Sequence, residues 1–353
     1  MLHFFRKIRR DLLANSQTIK YLKYGIGEII LVVIGILIAI QVDNWNEGRI
    51  DAENNKILFQ SVSDELVQNI EEIDRILDIY INEQPYYFKV LHKKVDYEDY
   101  KNGFPYLPNR WQRTNLTDGD FRELLSEKKN LTELQDSILA ELRDLYGKRK
   151  LNADKDEEEI ADWHFYRRMK WMDEHPWQPD LFGKRIRTDE FIEYLLTDPS
   201  YINEVTEIQL RNLGHQGGMI RFRTQALNVY KEIMKMIKKE LDTSLVRDIK
   251  DFGYIKGVYE AQFAQYDGLV GRCEIKGDEE VKFFAYWGED ETAFEWDIHP
   301  YSDSVLIFYE PKKIRSYLGK IVSGSDGEIL GLDFIGFLQM DENGNKIIYK
   351  KIE

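Results

Sequence analysis

Apolar residues follow three different rhythms along this chain. From Gly25 to Val42 they are nearly continuous, with Ile, Leu and Val unbroken but for Gly35 and Ala39 between Ile29 and Ile40. A helix of that length rises about 27 Å, close to the thickness of a bilayer's hydrocarbon core, so the stretch predicts one membrane crossing. Beyond it Leu58, Val62, Leu66, Ile70, Ile73, Leu77 and Tyr80 recur at steps of four and three with acidic residues between them. That spacing predicts an amphipathic helix ending near Pro85, where a backbone donor is lost. From about residue 254 the rhythm shortens to two, and Gly277-Asp278, Gly288-Glu289-Asp290, Asp326-Gly327 and Asn343-Gly344 punctuate it. Alternation bounded by such pairs predicts short strands joined by hairpins.

Between the first helix and the strands the pattern remains helical. Residues 86–115, rich in Tyr, Lys, Pro and Asn, read as a connecting loop. Thr117-Asp118-Gly119-Asp120 opens a helix over 121–126, and Leu131, Leu134, Ile138, Leu142 and Leu145 mark the next. Ile160, Trp163 and Tyr166 mark another over 157–172, which Pro176 and Pro179 must end. Thr188 caps a short helix to Leu196, and a last one runs from Pro199 to Leu241 with Gly214, Gly217 and Gly218 placed to kink or divide it. Strands are expected over 254–263, 269–275, 281–287, 293–299, 304–309, 319–322, 329–340 and 346–352. The fold class is thus α+β: a transmembrane helix, an extramembrane antiparallel helical bundle, and an antiparallel β meander or small barrel. A barrel would hide the two edges that an open sheet of this size exposes. The corresponding divisions are a basic arm (1–24), the crossing (25–42), the helical region (43–250) and the β domain (251–353).

Charge orients the anchor. Residues 1–24 hold six Lys/Arg against Asp11, a net +5, which leaves −19 for the rest of a chain whose total is −14. Apolar and basic residues interleave from Leu2 to Leu13 as in a helix lying on a membrane surface. Only Arg49 and Lys56 follow the apolar run closely. The bias places the N-terminus in the cytoplasm and Asp43 onward on the outer side of the membrane. Tyr21 and Tyr24 on one side and Trp45 on the other supply interfacial aromatic belts that hold the helix in the bilayer. A cleaved signal peptide is the rival reading, opposed by the lack of a small-x-small site after Ala39. Glu28 reads either as a carboxylate at headgroup depth or as part of a helix face with Gly35, Ala39 and Val42, where small residues would let a second copy approach.

The runs Phe4-Phe5-Arg6-Lys7-Ile8-Arg9, Tyr21 to Gln41 and Asp43-Asn44-Trp45-Asn46-Glu47 resemble the signature of a bacterial family of single-pass membrane proteins defined as a domain of unknown function. The resemblance is close over about the first 50 residues and looser to about residue 245. Asp43 stands where a second Asn is expected and Ile40 where Leu is usual. It implies a membrane anchor and no particular chemistry. Gly257-Val258-Tyr259-Glu260 and the Ser323, Asp326, Gly327, Ile329, Gly331, Leu332 pattern resemble the small lipocalin-like barrels appended to bacterial envelope proteins.

Candidate chemistry is sparse. The acidic bulk argues against nucleic acid as a partner. Cys273 is the one cysteine, so no internal disulfide forms. Asp154, Asp156, Glu157, Glu158 and Glu159 lack the glycine and terminal glutamate of a calcium loop and read as a solvated acidic turn. His164 and His175 match no zinc spacing. Trp163, Trp171 and Trp177 line a groove or form a small core. Asp297 and His299 share a strand face with no nucleophile beside them. No hydrolase, zinc-protease or phosphate-loop motif is present, and no cofactor is expected. The preferred reading is a non-enzymatic interaction module whose partners are the bilayer, an unidentified protein and a second copy of the chain. The alternative is a barrel that takes a small apolar or lipid-like ligand, and an envelope hydrolase comes last. An eight-stranded barrel is compatible with a filled interior or with one small ligand.

Overall fold

A computed structural model describes residues 6–7, 10, 18–247, 249–263, 269–277, 281–287, 294–310 and 315–352. Most of the basic arm lies outside the described residues. The first helix, α1 (Thr18–Leu91), is one element of 74 residues, about 110 Å long. It contains the only described helix long and apolar enough to cross a membrane, and the window that qualifies is wholly exposed. The crossing therefore continues without a break into the first helix of the bundle. Residues 41–50 stay exposed, and burial starts at Asn55. From there Phe59, Val62, Leu66, Ile70, Ile73 and Leu77 form the stripe that the four-three spacing predicts.

Pro85 does not end this helix. It removes one donor, but Tyr87 and Val90 are buried in the next turn, and their packing carries the helix to Leu91. The stretch 86–115 is correspondingly less irregular than its composition suggests. Beyond Leu91, Asp96 and Asp99 build a reciprocal cap for α2 (Tyr97–Lys101), and Pro108 sits in a 3-10 turn at Leu107–Asn109.

After α3 (Gly119–Glu127) comes α4 (Glu133–Asp144), with Thr132 and Gln135 forming its capping box. It does not stop at Leu145: a π-helical stretch, Leu145–Lys150, joins it to α5 (Leu151–Glu174). Two expected helices are thus one long rod. Leu134, counted in the apolar stripe, faces solvent. The acidic run lies on α5 rather than in a turn, with Asp154 paired to Lys150 at 2.7 Å and Glu157 accepting from the Thr114 N–H at 2.8 Å. Two short helices follow, α6 (Gln178–Phe182) and α7 (Asp189–Thr197), the latter capped by Thr188 as expected. The last helix, α8 (Pro199–Ile237), is undivided. Gly217 and Gly218 are buried where neighbours come close: a Cβ on Gly218 would lie 3.1 Å from Asp156 Oδ2.

α8 runs antiparallel to α1, since Arg223 pairs with Asp74 and Asn212 with Tyr87. The α4–α5 rod runs parallel to α1, with Asn55 bonding the Lys129 carbonyl and Tyr146 donating to Glu65. A second small core caps the far end around Tyr100, Trp171, Trp177, Phe191 and Tyr201.

Eight strands close an antiparallel barrel in chain order: β1 (Gly257–Phe263), β2 (Leu269–Lys276), β3 (Lys282–Trp287), β4 (Phe294–Pro300), β5 (Val305–Glu310), β6 (Arg315–Ser323), β7 (Ile329–Phe334) and β8 (Tyr349–Lys351). β8 pairs with β1 through Tyr259 and Lys351, which removes both edges. β7 stops at Phe334 rather than at Met340, because Ile335 turns into the bundle core and Gly336 adopts φ +93 against Leu213. On the outer face of β5 and β6, Val305, Ile307 and Leu318 join the helical core. The barrel is thus seated along the bundle. Tyr301 donates to the Asp74 carbonyl or the Asp78 carboxylate, both at 2.8 Å, and Arg223 lies over its ring.

Candidate ligand cavity in the barrel

Alternation along the strands sends Tyr259, Cys273, Phe283, Trp296, Phe308 and Phe334 into the barrel. One end is stopped by a 3-10 segment, Ile249–Ile255, whose Phe252 and Ile255 are buried with that interior. Toward the other end the side chains do not meet, and a cavity of about 110 Å³ remains. Its lining comes from strand ends on that side, including Glu310 at the end of β5, Tyr317 near the start of β6 and Tyr349 at the start of β8. This mouth lies beside the far end of α1, where His92 contacts the Leu338 carbonyl and Gln209 bonds Gly336.

Aromatic rings set the shape. Phe283 and Phe308 meet edge to face at 4.7 Å, Phe308 and Phe334 at 5.1 Å, and Phe334 and Tyr349 at 5.2 Å. Trp296 stacks on Tyr317 at 5.3 Å and 28°. Gly319 permits this arrangement: a Cβ there would fall 2.5 Å from Phe308 Cε2. The cavity is smaller than the roughly 150 Å³ apolar void that holds benzene in an engineered protein, so it has room for no more than about one ring.

Its lining also carries polar groups, from Arg272, Cys273, Tyr286, Trp296, Glu310, Tyr317 and Tyr349. Burial pushes the Cys273 thiol up, which keeps it protonated and unreactive. The Glu310 carboxyl is buried on the wall. The Trp296 indole N–H is buried and meets no acceptor among the described residues. Asp297 and His299 are not part of this site. They alternate with inward Trp296 and Ile298, and Asp297 is held by Lys282 at 2.6 Å on the outside.

The other sequence-marked residues are scattered. His164 stacks on Trp111 and is pushed down to about 3, by burial first and then by Arg167 and Arg168. His175 stacks on Trp177, so the two histidines do not converge. Trp171 and Trp177 meet at 5.0 Å in the distal core, with Trp163 half-buried under the Arg167 guanidinium. The three tryptophans are therefore core. A wide, open depression of about 680 Å³ lies beside them between Trp111, His164, Arg168 and Phe182. Among the described residues no group of three or more His, Cys, Asp or Glu is placed to hold a metal. Glu28, Gly35 and Ala39 lie exposed on α1, and no atom comes within 4 Å of a Cβ built on Gly35. Tyr24 and Trp45 are exposed at opposite ends of the apolar run, while the Tyr21 side chain lies outside the described residues.

A polar seam between α1 and its neighbours had no counterpart in the sequence reading. Tyr146 donates to Glu65 at 2.8 Å, and Asn69 accepts from the Thr117 N–H at 2.8 Å. The Tyr80 hydroxyl lies 3.2 Å from Nδ1 of His215, and Glu83 pairs with Arg110 at 2.7 Å. Its signal was the recurrence of Asn55, Glu65, Asn69 and Glu83 within an otherwise apolar, buried helix. Comparison with curated proteins finds no match. Residues 28–98, which carry most of the apolar run and this seam's side of α1, match the model of a family of unknown function, DUF6090.

Proposed function

We propose that the chain is a membrane-tethered binding module that takes a small apolar molecule into the mouth of its barrel. The observation behind this reading is the aromatic-lined void of about 110 Å³ left in an otherwise close-packed interior. The depression on the helices offers weaker support for a ligand, being open and lined by Arg113, Arg168 and His164 as well as by rings. The excess of Lys/Arg before the apolar run favours a cytoplasmic N-terminus, with bundle and barrel in the periplasm of a bacterial inner membrane.

The test is native mass spectrometry of the full chain released gently from membranes. The wild type retains a small-molecule adduct or takes up single-ring compounds, and Ala285→Phe, which fills the cavity from β3, abolishes both. A wild-type chain that carries no adduct and accepts none of a panel of single-ring compounds would overturn the reading.

Self-association is a second proposal, resting on the fully exposed face that carries Glu28, Gly35 and Ala39. On blue-native gels Gly35→Leu is expected to shift a dimer to a monomer. A strict monomer before and after the substitution removes the idea.

A further inference from the structure

Independently of the barrel, we infer that the depression on the helices binds a soluble amphiphilic anion, an apolar ring or chain that carries an oxyanion such as a carboxylate.

Two helices and a loop build its wall. His164, Arg168 and Met172 follow at four-residue steps along one face of α5, with Phe165 beside them, and α6 adds Gln178 and Phe182. Trp111 and Arg113 come from the segment after α2. Trp111 stacks on His164 at 5.3 Å, and the Arg113 guanidinium lies 5.5 Å from the Trp111 ring centre, so the loop is fastened to α5. The volume of about 680 Å³ suits a molecule of several rings or a long chain.

The charge of this lining runs against the rest of the chain. Acidic residues outnumber basic ones by 63 to 49 overall, yet two arginines and no carboxylate line the depression. Nearby Arg110 and Arg167 are matched by Glu83 and Glu204, whereas Arg113 and Arg168 make no ion pair among the described residues. Gln178 is 7% exposed, and its side-chain amide makes no hydrogen bond among the described residues. Unlike Nε2 of His164, which is sealed off, that amide keeps an open surface in the depression. Phe165, Met172 and Phe182 remain exposed around these polar groups, so an apolar body gains by covering them. A guanidinium holds an oxyanion through paired, charge-assisted hydrogen bonds. Arg110, the neighbour of Trp111 in the chain, is tied to Glu83, about 60 Å along α1 from Val42. Headgroups of the bilayer itself do not reach that far, which leaves a soluble occupant.

The probes are 1-naphthaleneacetate and 1-naphthaleneacetamide, which share a ring system and differ in charge. Each is titrated calorimetrically near neutral pH into the full chain in phosphatidylcholine nanodiscs, with empty nanodiscs subtracted. Wild type is expected to bind the acid about tenfold more tightly than the amide, or better. Arg113→Gln and Arg168→Gln each lower that preference about threefold, and the double variant removes it while amide affinity stays within about twofold. Both arginines are exposed, so these variants keep the fold, and their thermal melts check it. Ala285→Phe in the barrel changes neither affinity. Equal affinities in wild type, no binding of the acid, or a preference that survives in the double variant overturns the inference. Loss of acid binding in Ala285→Phe also overturns it, and places the ligand in the barrel instead. Acid binding that persists when no single-ring compound enters the barrel upholds this site and removes the other.

Discussion

Between Glu65 and Glu83 α1 buries two carboxylates, an amide and a tyrosine, and meets them with Tyr146 of the π-helical stretch, His215 of α8, and Arg110 and Thr117 in the segment after α2. The barrel interior is dominated by rings and aliphatic chains, with Cys273 and Glu310 among few buried polar side chains, and leaves a hollow among them. Directional bonds tie each turn of α1 to a specific neighbour, so the rod has little freedom to slide or repack. An apolar interior held by rings tolerates a void and an occupant. Under the proposed binding function the rod would set position and the barrel would recognise, with the Asp74, Arg223 and Tyr301 node joining them.

The largest expected effect lies in the barrel. Phe308 is fully buried and touches both Phe283 and Phe334, so Phe308→Ala costs about 3–5 kcal/mol by leaving a space the rings cannot close. Thermal melts followed by near-ultraviolet circular dichroism should lose the barrel's aromatic signal at lower temperature, while the helical signal at 222 nm persists. Simultaneous loss of both would show that the rod depends on the barrel and erase the division of labour.

A somewhat smaller effect belongs to the rod and comes from acid. Burial pushes His215 down to about 4, whereas an unfolded histidine titrates near 6.5. The folded state therefore resists a proton that the unfolded state accepts. Stability is fully present above pH 6.5 and is lost as pH falls toward 4, by about 3 kcal/mol at the lower end. His164, lowered for the same first reason, adds in the same direction. Urea denaturation monitored at 222 nm across that window should show the decline, with a shallower slope in His215→Gln. A flat profile in wild type would mean that the seam admits a proton without cost.

Much of this division is legible in the residues themselves. The crossing is visible because eighteen residues contain no lysine or arginine and one glutamate, and the strands because glycine-bearing turns interrupt an alternating pattern. The misreadings have local causes. Pro85 is a helix breaker only where nothing else holds the next turn, and Tyr87 and Val90 do. The π-helical stretch at Leu145–Lys150 leaves no compositional trace, so two helices look separate. β7 is shorter than the alternating pattern implies because Phe337 and Leu338 continue that pattern after the chain has left the sheet. The sequence leaves both a filled and a hollow barrel open. Trp296, Phe283 and Phe308 stand out as aromatic, but whether rings from six strands fill a barrel depends on how their edges meet. That depends in turn on Gly319, which lets Phe308 lie against the backbone of β6.

The uninterrupted course of α1 makes the crossing and the barrel mouth parts of one lever. From Val42 to Leu91 the helix spans about 75 Å, and the barrel mouth lies at its far end. A tilt of about 20° in the bilayer, ordinary for a single helix, therefore carries the mouth sideways by about 25 Å without any joint in the chain bending. Whatever fixes that tilt, including lipid thickness or a second helix beside Gly35, also decides how wide a zone above the membrane the cavity can sample.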